Sequence, residues 1–170
     1  MADATQISSV AGANNQWVSL KTGATQYSLA SGQAAATKFF ANLYKPTNTY
    51  AIHNADDTRQ VALQGSSSYL LNVVDVTNPS SDKIPGGQLM EWATFTLDNN
   101  VLGVKDGSTL TNRTFAAVPA SGGSGYNLAF YDGKLLELEQ YANCALNKSP
   151  GISKTDTALV FITLSVVKAT

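Results

Sequence analysis

From Trp17 onward the chain alternates apolar and polar residues in short runs, and nearly every run ends in turn-forming residues. Trp17-Val18-Ser19-Leu20 stops at Lys21-Thr22-Gly23, Gln26 to Leu29 at Ser31-Gly32, and Phe39 to Tyr44 at Pro46. Tyr50 to His53 stops at Asn54-Ala55-Asp56-Asp57, Gln60 to Gln64 precedes Gly65, and Tyr69 to Val76 precedes Asn78-Pro79. This period of two is the mark of half-buried strands. Glu91 to Leu97 sets Trp92, Thr94 and Thr96 against Ala93, Phe95 and Leu97. Asp98-Asn99-Asn100 then turns the chain into Val101 to Val104, and Asp106-Gly107 is a hairpin-type signal. Tyr126 to Tyr131, Asp132-Gly133 and Lys134 to Gln140 read as the clearest hairpin, and Thr157 to Lys168 as the last and longest strand. Gln33 to Leu43 is the one helix candidate. Its alanines favour helix, but Thr37, Phe39 and Phe40 favour strand.

About eleven strands with turns every 8–12 residues or so suit an antiparallel β-sandwich or a closed β-barrel of about ten to twelve strands. A β-trefoil is the alternative, because Phe95 to Leu102 and Leu128 to Leu135 are similar apolar hairpins around an acidic turn. Residues 1–15 show little apolar period and read as an irregular lead-in to a single all-β domain over 16–170. Val118 to Gly125 reads as a surface loop. The expected core is Trp17, Leu20, Phe40, Leu71, Val73, Phe95, Leu97, Phe130, Leu136, Phe161, Leu164 and Val166.

Composition narrows the chemistry. The 170 residues hold one histidine, one cysteine and 14% charged residues, with a formal net charge of −1. General acid/base and metal chemistry draw on clustered His, Cys, Asp and Glu, so no enzyme, no metal site and no cofactor is expected. The 11 Lys and Arg are scattered, which disfavours nucleic acid as a partner. No apolar run approaches the roughly 20 residues of a membrane-spanning helix. His53 beside Asp56, Asp57 and Arg59 reads as a polar turn held by Asx bonds. Among the carboxylates Glu91, Asp98, Asp106, Glu137 and Glu139, the last two share one face of a strand and read as solvated. Cys144 has only Lys148 near it and reads as a small buried hydrophobe.

The aromatics are the remaining stock for recognition. Saccharides stack on exposed rings and hydrogen-bond to amides and carboxylates, so Tyr44 and Tyr50, flanking a Lys-Pro-Thr-Asn turn, and Tyr131 beside Asp132 are the candidate glycan contacts. Trp17 and Trp92 are assigned to core packing. Asn112-Arg113-Thr114 and Asn147-Lys148-Ser149 are N-glycosylation triplets, with Pro150 disfavouring the second.

Several phrases resemble the fungal phialide cell-wall (PhiA-like) family of small secreted proteins. Trp17 to Tyr27 is similar to that family's opening strand phrase, and Ala93 to Asp98 with Leu102 to its Ala-Thr-Phe strand and turn. Gly125-Tyr126-Asn127-Leu128 with Asp132, Leu135 and Leu136 falls where the family carries a Gly-Trp strand, and Cys144 near a family cysteine. Tyr126 stands where the family has tryptophan, and its other cysteines are missing. The resemblance implies a secreted, non-catalytic structural or surface-interaction protein, extracellular or in the cell wall after removal of a signal peptide. A cytoplasmic protein is the alternative, since Met1-Ala2-Asp3-Ala4 opens without a signal-type pattern. A lectin-like carbohydrate-binding module is the second functional reading, with cell-wall polysaccharide or another glycan as partner. A proteinase inhibitor presenting a loop over Asn78 to Gly87 is the third. A monomer is expected over a homodimer, which would form only if the uncharged last strand lay at a sheet edge.

Overall fold

The alternating segments fold as thirteen strands: β1 (Thr5–Ala11), β2 (Trp17–Ser19), β3 (Ser28–Ala30), β4 (Phe40–Tyr44), β5 (Thr49–His53), β6 (Arg59–Gly65), β7 (Leu70–Thr77), β8 (Leu89–Glu91), β9 (Phe95–Asp98), β10 (Val101–Val104), β11 (Thr114–Pro119), β12 (Tyr126–Tyr131) and β13 (Val160–Lys168). The computed structural model describes residues 4–11, 15–66, 70–78, 83–92, 94–121, 124–133 and 159–169. Ten strands close a ring in the order β5-β9-β10-β13-β1-β2-β3-β12-β7-β6, and the His53↔Gln60 pair returns it to β5. Of the architectures the sequence leaves open, this is the closed antiparallel barrel, neither the sandwich nor the trefoil. Strand β4 adds to β5, β8 adds to β6, and β11 bridges β12 and β13.

Inward positions fill the ring. Phe39, Phe95, Phe115, Phe130, Leu63, Leu71, Leu128 and Leu164 are buried in one cluster, and the void that Phe39, Phe95, Phe115, Leu128 and Leu164 enclose is about 10 Å³. That is at the lower limit for a single water. The centre of this cluster is therefore closely packed. Strands β6 and β7 are buried on both faces: Val61, Leu63, Leu71 and Val73 face inward, while Ala62, Val74 and Val76 form a second cluster with Met90 of β8. Two-sided burial explains why these strands read as near-continuous apolar runs rather than strict alternations.

The β9–β10 hairpin follows its turn chemistry. Asp98 pairs with Val101, leaving a two-residue loop of Asn99 (φ 51°) and Asn100 (φ 65°). Positive φ at both positions is the type I′ geometry that Asn tolerates and that matches strand twist. Asp106-Gly107, by contrast, joins strands that do not pair: β10 pairs with β9 and β13, and β11 with β12 and β13.

Several expectations are corrected. Residues 5–11 are not irregular, since β1 is paired with β13 on one side and β2 on the other. Its polar residues disguise it because they are used internally. Gln6 Nε2 donates to the carbonyls of Gln33 and Ala36, and the Ser9 hydroxyl donates to the Gln16 carbonyl. The Gln33 region is a single 3₁₀ turn, Gln33–Ala35, docked by a 2.6 Å bond from Ser19 Oγ to the Ala35 carbonyl. Phe39, not Phe40, is the fully buried ring of its pair. On β13 the inward parity belongs to Ile162 and Leu164, so Phe161 faces out, 47% exposed, with its ring 5.3 Å from that of Tyr131. Trp17 is only partly buried. Leu136 lies outside the described residues. Ser165 of β13 pairs with both Ser8 of β1 and Val101 of β10, so this strand is interior to the sheet and offers no free edge there.

Candidate functional site

The outward positions of β4, β5 and β6 converge on one face of the barrel wall. Ladder pairs Tyr44↔Thr49, Phe40↔His53 and His53↔Gln60 set Tyr44, Ala51, His53 and Gln60 on the side opposite Ile52 and Val61, which belong to the core. Ala51 and Gln60 lie at the base of an open cleft of about 950 Å³. That volume is in the upper part of the roughly 300–1,000 Å³ range of small-ligand sites. Tyr44, Pro46 and Thr47 of the β4–β5 hairpin form one wall; Trp92 and Thr94, with Lys105, Asp106 and Gly107, form the rest, and Asn78 joins them. Pro46 suits the second position of the turn that the Asn48 N–H closes on the Lys45 carbonyl, and Asn48 itself takes φ 54°. A 2.7 Å bond from the Lys105 N–H to the Thr94 carbonyl ties the two segments of the other wall together.

Two aromatic rings are presented there, Tyr44 50% exposed and Trp92 39% exposed. Large apolar rings left open to water in a shared concavity mark recognition surfaces more often than packing accidents.

Behind the Lys105–Gly107 wall lies an acid cluster. Both Asp106 carboxylate oxygens accept from Arg113, Oδ1 at 2.8 Å from Nη1 and Oδ2 from Nη2. Asp132 Oδ1 accepts from Arg113 Nε at 2.7 Å, and the guanidinium lies 5.1 Å from the Phe130 ring centroid. Gly133 makes the approach possible: its φ is +86°, and an added Cβ would sit 2.4 Å from the Thr111 carbonyl. Glu91, last residue of β8, shares a side-chain hydrogen bond with Asp106. Burial, then the neighbouring Asp106, push the Glu91 carboxyl up to about 7, while hydrogen bonding from Arg113 holds Asp106 down to about 2. Three carboxyls around one guanidinium cannot all be charged cheaply, so the pair keeps one proton, on Glu91. The second oxygen of Glu91 is enclosed and without a partner among the described residues.

His53, 6% exposed, directs Nδ1 to the Asp57 carboxylate, and Asp57 also accepts from Asn78 Nδ2. Nε2 is enclosed and unpartnered among the described residues. Asn54 Oδ1 accepts from the Thr58 and Arg59 N–H groups, and Asp56 Oδ1 accepts from Thr58. The turn is thus the Asx-bonded structure the sequence implies. Arg59 leaves it for Asp75, at 2.7 Å.

Of the residues singled out from sequence, the structure brings Tyr44 and Asp106 to the cleft. Tyr50 packs against the core instead. Tyr131 is 1% exposed inside the wall and has no face to offer a sugar. Asp132 serves Arg113. Asp98 is exposed at the β9–β10 turn. Asn112 is exposed, with φ 61°, at the start of its triplet. Glu137, Glu139, Cys144, Asn147 and the middle of the Asn78–Gly87 loop lie outside the described residues. Among the described residues no group of three His, Cys, Asp or Glu has the placement to hold a metal.

Trp92 is the residue sequence reasoning misplaced, and the signal was present. It shares its parity with Thr94 and Thr96, opposite Phe95, so alternation alone directs it outward. Comparison of the chain with protein-family models, with characterised proteins and with solved structures finds no match.

Proposed function

We propose that this protein is a non-catalytic carbohydrate-binding barrel that acts outside the cell, making surface contact through a saccharide held in the Tyr44–Trp92 cleft. The observation that carries this reading is the pair of exposed rings lining one concavity among hydroxyl and amide side chains. A pyranose ring has an apolar C–H face that gains by covering an aromatic surface, and a rim of hydroxyls that needs hydrogen bonds. Thr47, Gln60, Asn78 and Thr94 supply polar groups of that kind around the two rings.

The non-catalytic part of the reading is supported by how the nearby acids are employed. Asp106 is committed to Arg113 through both oxygens, and Glu91 is not among the residues that line the cleft. Glycoside hydrolysis needs two carboxyls roughly 5–10 Å apart across a reacting bond, whereas these two bond to each other. The extracellular part rests on the resemblance to secreted wall proteins and on the exposed Asn112 triplet.

The test is a glycan array followed by pull-down on insoluble wall polysaccharides. Saturable binding is expected, weakened about tenfold by Tyr44→Ala and by Trp92→Ala, since each removes a stacking contact worth roughly 1–1.5 kcal/mol. Binding unchanged in both variants, or hydrolysis of a bound glycan, would refute the proposal.

A further inference from the structure

The two charged residues on the wall of the cleft differ in availability. Lys105 and Asp106 are adjacent and both line it, yet they are not equivalent. Asp106 has a side chain only 7% exposed and gives both oxygens to Arg113. Its carboxylate is therefore committed to the cation behind it, which it shares with Asp132. Lys105 is exposed, and no carboxylate among the described residues pairs with it. Glu91, next to Trp92 in the chain, is not among the cleft-lining residues, and burial together with Asp106 raises its carboxyl to about 7. Asp57, the other acid near this face, is engaged by His53 and Asn78. The cleft thus offers a lysine with no ion-pair partner among the described residues, on a lining that also includes Tyr44 and Trp92.

We infer that the cleft is selective for acidic saccharides, with Lys105 receiving the carboxylate of a uronic-acid residue while Tyr44 and Trp92 cover sugar faces. This rests on the carbohydrate-binding reading and names the ligand class within it. The physical basis is a charge-assisted hydrogen bond from the ammonium to a carboxylate, which a neutral hydroxymethyl at the same carbon cannot replace in strength. Because the ammonium is exposed, the gain is that of a surface ion pair: a preference of about threefold to fivefold, and one that salt screens.

The experiment compares a uronic-acid tetrasaccharide with its carboxyl-reduced, neutral counterpart by isothermal titration calorimetry on the full chain. The two probes differ only in charge at one carbon of each sugar. The acidic probe should bind about threefold to fivefold tighter at 50 mM salt, with the difference collapsing at 500 mM. Lys105→Gln should bring the ratio of the two affinities close to one, and Lys21→Gln, on the β2–β3 turn outside the cleft, should leave the preference intact. Equal affinity for both probes, or a preference that survives Lys105→Gln, overturns the inference while the carbohydrate-binding reading stands. Failure of both probes to bind, alongside no hit on the array, overturns both.

Discussion

Replacing Glu91 by glutamine keeps a hydrogen-bond donor facing Asp106 but removes the proton that the pair shares. In the wild type the Glu91 carboxyl is raised from its ordinary 4.5 to about 7 by burial and by Asp106. The unfolded chain releases this proton near pH 4.5, whereas the folded chain holds it until about 7. Between those limits the folded state binds more protons, so stability falls as pH rises through the window and is level above it. Each pKa unit is worth about 1.4 kcal/mol. Glu91 is partly open to solvent, and screening lowers the full conversion to a loss of about 1–2 kcal/mol. Asp106 acts with the opposite sign: held at about 2 against an ordinary 3.8, it stabilises the fold above about pH 4 and loses that contribution as pH falls toward 2. Urea unfolding followed by far-UV circular dichroism at pH 5 and pH 8 is the assay. The wild type should lose about 1–2 kcal/mol more than Glu91→Gln between the two conditions, making the variant the more stable protein at pH 8. Parallel losses in the two proteins would refute the shared proton.

Arg113→Gln should be far more damaging, by about 3–5 kcal/mol at pH 7, because it leaves two enclosed carboxylates facing each other without their cation. The deficit should shrink near pH 3 as those carboxyls take up protons, measurable by the same unfolding curves. On β13, Leu164→Ala should cost about 2–5 kcal/mol and Phe161→Ala under about 1.5 kcal/mol, since Leu164 is fully buried and Phe161 keeps only an edge contact with Tyr131. Comparable denaturation midpoints for these two variants would reverse the inward parity of the strand.

Alternation made the all-β class and most strand positions legible, because inward positions of a barrel repeat every second residue. It failed where burial is not apolar. Strand β1 hides its pairing behind Gln6, Ser8 and Ser9, buried polar residues, of which Gln6 finds its partners at Gln33 and Ala36, well beyond the strand. Parity was also decisive where it was ignored: Phe161 and Leu164 are three apart on a strand and cannot both face inward. Closure into a ring was beyond local pattern, since it depends on ladders such as Val101↔Ser165 and Ala129↔Asn72 that join strands far apart in the chain. Of the cleft, Tyr44 was readable from the turn it borders. Lys105 was not, because its availability depends on Arg113, 8 positions later in the chain, pairing with the adjacent Asp106. Tyr131 looked accessible beside an Asp-Gly turn, yet its strand lies between β11 and β7 and encloses the ring.

The most direct test of the cleft as a saccharide site is a ¹H–¹⁵N titration that follows the two indole N–H signals, assigned with Trp17→Phe and Trp92→Phe. Addition of the uronic-acid tetrasaccharide should move the Trp92 indole signal along a saturating curve and leave the Trp17 signal in place. A Trp92 signal unmoved at millimolar ligand, or a saturating shift confined to Trp17, would contradict the account.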